Sequence, residues 1–238
     1  MDIKESDILG ERIGEHWYYK AKARAMLNAV RRARPRVILD IGAGSGFFSR
    51  YLLDETDADE AWLVDTGYAE DEDEQYADKR VFLRRSIDKV DADLVLLMDV
   101  LEHVDDDLGL LADYAERVPD GARFFITVPA FRFLWSGHDE FLEHKRRYTL
   151  EEVEKLASDA RLKVLKGAYF FGGILPIAAS LRLFSRFGGH EEPKSQLKMH
   201  HPLVNGALSA ICTAELPFFT LNRLGGLSVV CLAEKLKS

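Results

Sequence analysis

Cysteine is nearly absent from this chain, with two in 238 residues, Cys212 and Cys231, each inside an apolar run. There is no CxxC pair, so neither a disulfide framework nor a metal knuckle is expected, and both read as small buried hydrophobes. Adjacent His200 and His201 point apart in a strand or helix and read as a solvated loop. No metal site is expected. Long apolar runs are also missing. An apolar uncharged stretch, 167–181, has 15 residues and contains Pro176, short of the ~20 that span a bilayer. The N-terminus has no basic start followed by an apolar stretch, so the reading is a cytoplasmic protein without a secretory signal. Basic charge is in deficit: 32 Lys and Arg face 40 Asp and Glu, a net charge of -8, which argues against a nucleic-acid partner.

The chain is 47% hydrophobic and 30% charged, enough for one sizeable core. A single domain over 1–238 is expected, with a helical cap at 1–34 and a helical insert at 172–224. Residues 15–34 have helical spacing that Pro35 ends. Short apolar runs follow at 37–41, 61–64, 81–83, 93–98, 123–128, 163–170 and 226–233, with helical stretches between them. Strands alternating with helices predict an α/β fold, a mainly parallel sheet covered on both faces. Asp105 is the expected N-cap of a helix to Glu116, and Thr149 with Glu152 forms a capping box. The acidic stretches 54–60 and 70–74 read as solvated loops.

One turn has chemistry in it. Asp40-Ile-Gly42-Ala43-Gly44-Ser-Gly46 follows a strand and opens a helix, the place where α/β sheets bind nucleotide-like ligands. Its spacing is GxGxG, and Phe47 stands where a dinucleotide fingerprint has its third glycine. S-adenosylmethionine (SAM) has no phosphate and suits such a turn: backbone contacts for its methionine and ribose part, Asp40 for its ammonium. Asp65, 19 residues after Gly46 and followed by Thr66, is placed to accept both ribose hydroxyls.

Val37 to Phe47, Asp65, and Asp93 to Val104 together resemble the first, ribose-binding and fourth-strand motifs of class I SAM-dependent methyltransferases, in the branch that includes ubiquinone-biosynthesis O-methyltransferases. The resemblance implies a Rossmann-like sheet of seven strands, mainly parallel, with the last antiparallel. It implies adenine contacts at Ser86 and Ile87 and a cofactor contact at Met98 and Asp99. The segment from His16 to Lys20 resembles a feature that covers the cofactor in many bacterial members, which makes Tyr19 a candidate contact.

Methyl transfer to a hydroxyl is helped by a base. His103 follows the fourth-strand motif beside Glu102; adjacent residues in a helix point apart, so one is expected to serve the site and the other the scaffold. The loop after the fifth strand adds His138 and Asp139 as catalytic candidates, and Trp135, His144, Arg146, Arg147 and Tyr148 as substrate contacts. The arginines could clamp an anion, or pair with Glu140, Glu143 and Glu151.

The expected function is O-methylation of a small apolar, sugar or lipid-linked acceptor. The alternatives are a nicotinamide-dependent oxidoreductase and a catalytically silent scaffold of the same fold. The insert carries five basic residues against three acidic ones on an otherwise acidic body. It could be a lid over the site, a dimer surface or a peripheral membrane contact.

Overall fold

The computed structural model describes residues 10–187 and 201–237. His200 and the stretches 1–9 and 188–200 of the expected cap and insert lie outside them. A 3-10 turn, Gly10–Glu15, leads into α1 (Trp17–Val30), where the His16 side chain accepts from the Tyr18 amide as N-cap. β1 (Val37–Ile41) turns through the glycines into α2 (Phe47–Glu55). Then come β2 (Glu60–Val64), β3 (Glu72–Tyr76), β4 (Lys79–Arg84) and β5 (Leu94–Met98). They are followed by α3 (Asp107–Arg117), β6 (Arg123–Pro129), α4 (Gly137–Phe141) and α5 (Leu150–Asp159). β7 (Leu162–Phe170), α6 (Leu175–Phe187), α7 (Pro202–Glu215) and β8 (Ser228–Lys235) complete the order.

The strands form one sheet in the order β3-β4-β2-β1-β5-β6-β8-β7. β1 pairs in parallel with β2 on one side and β5 on the other. The winding reverses there, so the carboxyl ends of β1 and β5 border a ligand crevice. β8 is antiparallel to both β6 and β7, as the resemblance implies. Two apolar clusters cover the two faces, one under α1 and α2, the other under α3 and α5. Thr149 and Glu152 close their capping box as expected.

The sheet has eight strands, not seven. β3 comes out of the acidic stretch read as a loop and pairs antiparallel with β4 at the sheet edge. Its acids are solvated yet paired: Asp73 with Arg84, Glu74 with Arg50. Charge on an edge strand resists further strand addition, so the composition that suggested a loop equally suits an edge. The α3 cap is also one residue later than expected: Asp106, not Asp105, accepts from the Gly109 amide.

The turn after β1 needs its glycines for two reasons. Gly46 sits at φ 70°, and a Cβ there would lie 2.2 Å from Leu63 Cδ2 of β2. Backbone conformation and packing against the neighbouring strand both exclude a side chain.

Candidate active site

The turn supplies a cradle of backbone groups with a carboxylate at each side. Asp40 is buried at the end of β1. Its Oδ2 accepts from Ser49 Oγ at 2.7 Å, while Oδ1 has no hydrogen-bond partner. Burial pushes its carboxyl up to about 6. An orphaned buried carboxylate oxygen beside the glycines suits a cationic head such as an ammonium. Asp65 at the end of β2 accepts from the Gly44 amide through Oδ2 and from the Gly67 amide through Oδ1, each at 2.9 Å. Each carboxylate oxygen accepts more than one donor, so the geometry leaves room for ribose hydroxyls. The Tyr68 hydroxyl donates to the Gly44 carbonyl at 2.7 Å and stiffens the cradle; nothing in the sequence singled it out. Ala43, Ile87 and Met98 are buried, and Thr66 and Ser86 are exposed.

Beyond β5 the crevice meets a cavity of about 410 Å³. Asp99 marks the junction, held at φ 56° directly after the strand. Lys22 of α1, 2% exposed, forms an ion pair with its Oδ2, and Thr127 Oγ1 donates to Oδ1 at 3.2 Å. Burial works to raise the Asp99 carboxyl, but the Lys22 ammonium outweighs it and holds the group below its usual range. The same pair raises Lys22 against the lowering effect of burial. Phe131 after β6 and Phe171 after β7 also have positive φ, 55° and 64°, rare for bulky residues and typical of backbone held under constraint beside a site.

The cavity has two kinds of wall. Glu102, His103, His138 and His144 form a polar floor, and Ile174, Ile177, Ala178, Leu181 and Leu208 of the insert form an apolar side. Adjacent Glu102 and His103 were expected to diverge. In the 3-10 turn Leu101–His103 both line the cavity. Glu102 is 0% exposed, with neither carboxylate oxygen hydrogen-bonded. Burial first, then the Asp99 charge, push its carboxyl well above the usual range. The His103 and His144 rings meet edge to face, centroids 4.7 Å apart.

Several expected contacts turn inward instead. Asp139 is fully buried and does not line the cavity. It takes two bonds from Arg147, Nε at 2.6 Å and Nη2 at 2.9 Å, one from the Ser136 amide at 2.9 Å, and contacts His144 Nδ1 at 3.0 Å. Burial would raise its carboxyl; His144 and Arg147 outweigh that and hold it far below the usual range. Such a group is ionised and positioned, and the geometry gives it no path to a substrate proton. Arg147 reaches the cavity edge, but its donors go to Asp139 and to the Ala130 carbonyl. Arg146 pairs with Asp107 at 3.1 Å, not with Glu140, Glu143 or Glu151, and caps the Val104 and Asp105 carbonyls. The Tyr148 hydroxyl donates to Asp107 at 2.7 Å. Neither Arg146, Tyr148 nor half-buried Trp135 lines the cavity. Tyr19 packs in the core against Phe47 and Phe48, and its neighbours Trp17 and Tyr18 line the cavity instead.

A family model described as a methyltransferase domain matches residues 14–166. No curated protein matches the chain. Among solved structures, a chain of the Haloferax volcanii complex between the Trm112 methyltransferase activator and a methyltransferase is similar, at 15% identity and TM-score 0.56, over 99% of this chain and 95% of that one. The Burkholderia thailandensis 1,6-didemethyltoxoflavin-N1-methyltransferase with S-adenosylhomocysteine bound is 16% identical, TM-score 0.52, over 99% and 88%. Haemonchus contortus phosphoethanolamine N-methyltransferase 2 is 14% identical, TM-score 0.54, over 99% of this chain and 57% of that one.

Arg147→Met strips Asp139 of its main counter-charge and lowers unfolding stability in urea by about 3–5 kcal/mol, as for other broken buried pairs. Arg146→Ala, at a partly exposed pair, costs less, roughly 1 kcal/mol. Asp40 behaves in the opposite sense. Its folded carboxyl is raised to about 6, so its contribution favours folding at acid pH and is lost as pH rises through that value. Asp40→Asn therefore stabilises the ligand-free chain at pH 7 by roughly 1–3 kcal/mol, and the gain vanishes below about pH 4.

Proposed function

The chain belongs to the methyltransferase-domain family, and from that premise we propose that it methylates a hydroxyl of a small acceptor with an apolar portion, using SAM. The carrying observation is the cavity at Asp99, which joins a polar floor to an apolar wall built by the insert. SAM supplies an electrophilic methyl group on a sulfonium. The chain's own groups do the rest. Asp40 attracts the ammonium, Asp65 receives the ribose hydroxyls, and the Gly44 segment approaches closely. Ser86 and Ile87 border the adenine, and Met98 and Asp99 the methyl end. The floor holds the acceptor oxygen in line with the methyl carbon, which accounts for most of the acceleration in such a displacement. The acceptor proton passes to a histidine of the floor as the new C–O bond forms and the S–C bond breaks.

The GxGxG spacing disfavours the nicotinamide reading, and the unpartnered Asp40 and Glu102 oxygens disfavour a silent scaffold, since a scaffold gains nothing from them. Isothermal calorimetry is expected to give S-adenosylhomocysteine binding and none for NAD. Asp65→Ala weakens that binding at least tenfold, and Asp88→Ala leaves it within twofold. A NAD signal, or equal effects of the two substitutions, overturns the assignment.

Outward apolar side chains of the insert, with Leu203 at 78% and Leu224 at 96% exposure, extend the proposal to a lipid-linked acceptor met at a membrane surface in the cytoplasm. No helix among the described residues is long and apolar enough to cross a membrane, so the contact is peripheral. A second copy of the chain is the alternative occupant. In an acceptor screen, hydroxyl compounds with apolar tails turn over faster when presented in vesicles, and the protein co-sediments with them. His138→Ala keeps S-adenosylhomocysteine affinity and lowers turnover tenfold or more. Methylation confined to amines, or indifference to vesicles without co-sedimentation, rules against this reading.

A further inference from the structure

Glu102 poses a problem that methyl transfer alone does not answer. A carboxylate with no exposure and two unpartnered oxygens is costly to bury, and the fold could have placed a leucine there. Its surroundings indicate what it is for. A Glu102 oxygen and ring nitrogens of His103 and His144 all lie within 4.8 Å of one another. The three donors come from two segments, the turn after β5 and the loop after β6, brought together where Lys145 N donates to the Glu102 carbonyl at 2.8 Å. We propose that Glu102, His103 and His144 hold a divalent transition-metal ion of the zinc, cobalt or iron(II) class on the floor of the acceptor cavity.

Three features support an ion over a chance cluster. One is the donor set. Two imidazoles and one carboxylate are the ligands of catalytic sites that keep positions open for substrate. They suit these borderline ions better than magnesium, which prefers oxygen donors and its own waters. A second is the support behind it. The Asp139 contact at His144 Nδ1, 3.0 Å, fixes the ring so that its other nitrogen is the one offered. A carboxylate behind a ligating histidine is the usual outer-shell device, and here Arg147 and Ser136 lock it in turn. The third is the open side. The same donors line a cavity of about 410 Å³, so an acceptor oxygen could complete the coordination. An ion about 2.1 Å from each donor needs the donors about 3.4 Å apart. The most widely separated donors, within 4.8 Å of one another, therefore close in by at most about 1.4 Å as it binds.

The ion's part in catalysis rests on the hydroxyl acceptor proposed above; its binding does not. A bound divalent ion lowers the pKa of a coordinated hydroxyl. With His103 and His144 engaged as ligands, His138 is the floor histidine left to receive the proton.

The test uses the full chain, stripped with chelator and titrated with Co2+ in the absence of cofactor and acceptor. One equivalent is expected to bind, with the visible absorption of a low-coordinate cobalt site, and Zn2+ displaces it while millimolar Mg2+ does not. Glu102→Gln and His144→Ala lower Co2+ affinity at least tenfold, and Asp139→Asn, one shell out, lowers it about 10–100-fold. Calorimetry with S-adenosylhomocysteine on each variant shows that it is folded. Absence of stoichiometric Co2+ or Zn2+ binding overturns the proposal, as does binding that survives Glu102→Gln and His103→Ala unchanged in folded protein. Because neither acceptor nor cofactor enters the titration, a wrong acceptor class leaves this readout intact.

Discussion

The ion pair of Asp139 with Arg147 is the contact on which the site's far wall depends. The loop after β6 has little regular structure of its own: a 3-10 turn at Arg132–Leu134 and five residues of α4. What orders it is one buried charge that gathers donors from Ser136, His144 and Arg147. Removing a carboxylate from water is expensive, and the expense is offset only when every lone pair finds a donor. That requirement selects one conformation of the loop among many. It sets the His144 ring, brings the backbone around Lys145 against Glu102, and closes the cavity floor.

The buried carboxylates fall into two groups. Asp139 and Asp99 are satisfied by arginine, lysine and hydroxyl partners, and both are held in the ionised state. Asp40 and Glu102 keep oxygens without partners, and burial pushes both upward. The first pair supports backbone: Asp139 fixes a loop, and Asp99 ties α1 to the end of β5 through Lys22. The second pair lies at the glycine turn and at the cavity, the two places where the proposed function puts ligands. Stability accounts for the paired acids and not for the unpaired ones, so the unsatisfied oxygens are the more informative guide to function.

The sheet and its glycine turn are legible in the sequence because their signals are local. Gly42, Gly44 and Gly46 each take positive φ, a demand that one residue type meets almost alone, and β1 and β5 are apolar runs that only a doubly covered sheet explains. The acceptor side was less legible because its logic lies in pairings across the fold. Arg147 and Tyr148 have the composition of a binding loop, yet whether an arginine meets a substrate or Asp139 depends on a loop path that spacing does not encode. Lys22 looks like any helix lysine until α1 is laid beside Asp99. Helical geometry would point Glu102 and His103 apart, and a 3-10 turn beside an approaching loop puts both in one cavity. Tyr18 and Tyr19 belong to one short motif, and only the direction in which α1 packs sends the first to the cavity and the second to the core.

The insert extends the same reasoning to the outside of the molecule. Its first helix is tied down at definite points: Arg182 donates to the Leu134 carbonyl, and the Glu215 carboxylate accepts from the Gly172 amide at 2.8 Å. Asn205 of α7 bridges to the start of α1, accepting from the Trp17 amide at 2.9 Å and donating to the Glu15 carbonyl. These contacts hold a helix pair against the cavity with apolar side chains on both its inner and outer surfaces. A lid that served only to exclude water would need the inner surface alone. Outer leucines left to solvent lower solubility and weaken no competing state, so they are hard to explain as lid residues. A wall that is apolar on both sides suits the lipid-linked acceptor proposed above: under that proposal its apolar tail would follow the wall from a lipid surface toward the cavity floor.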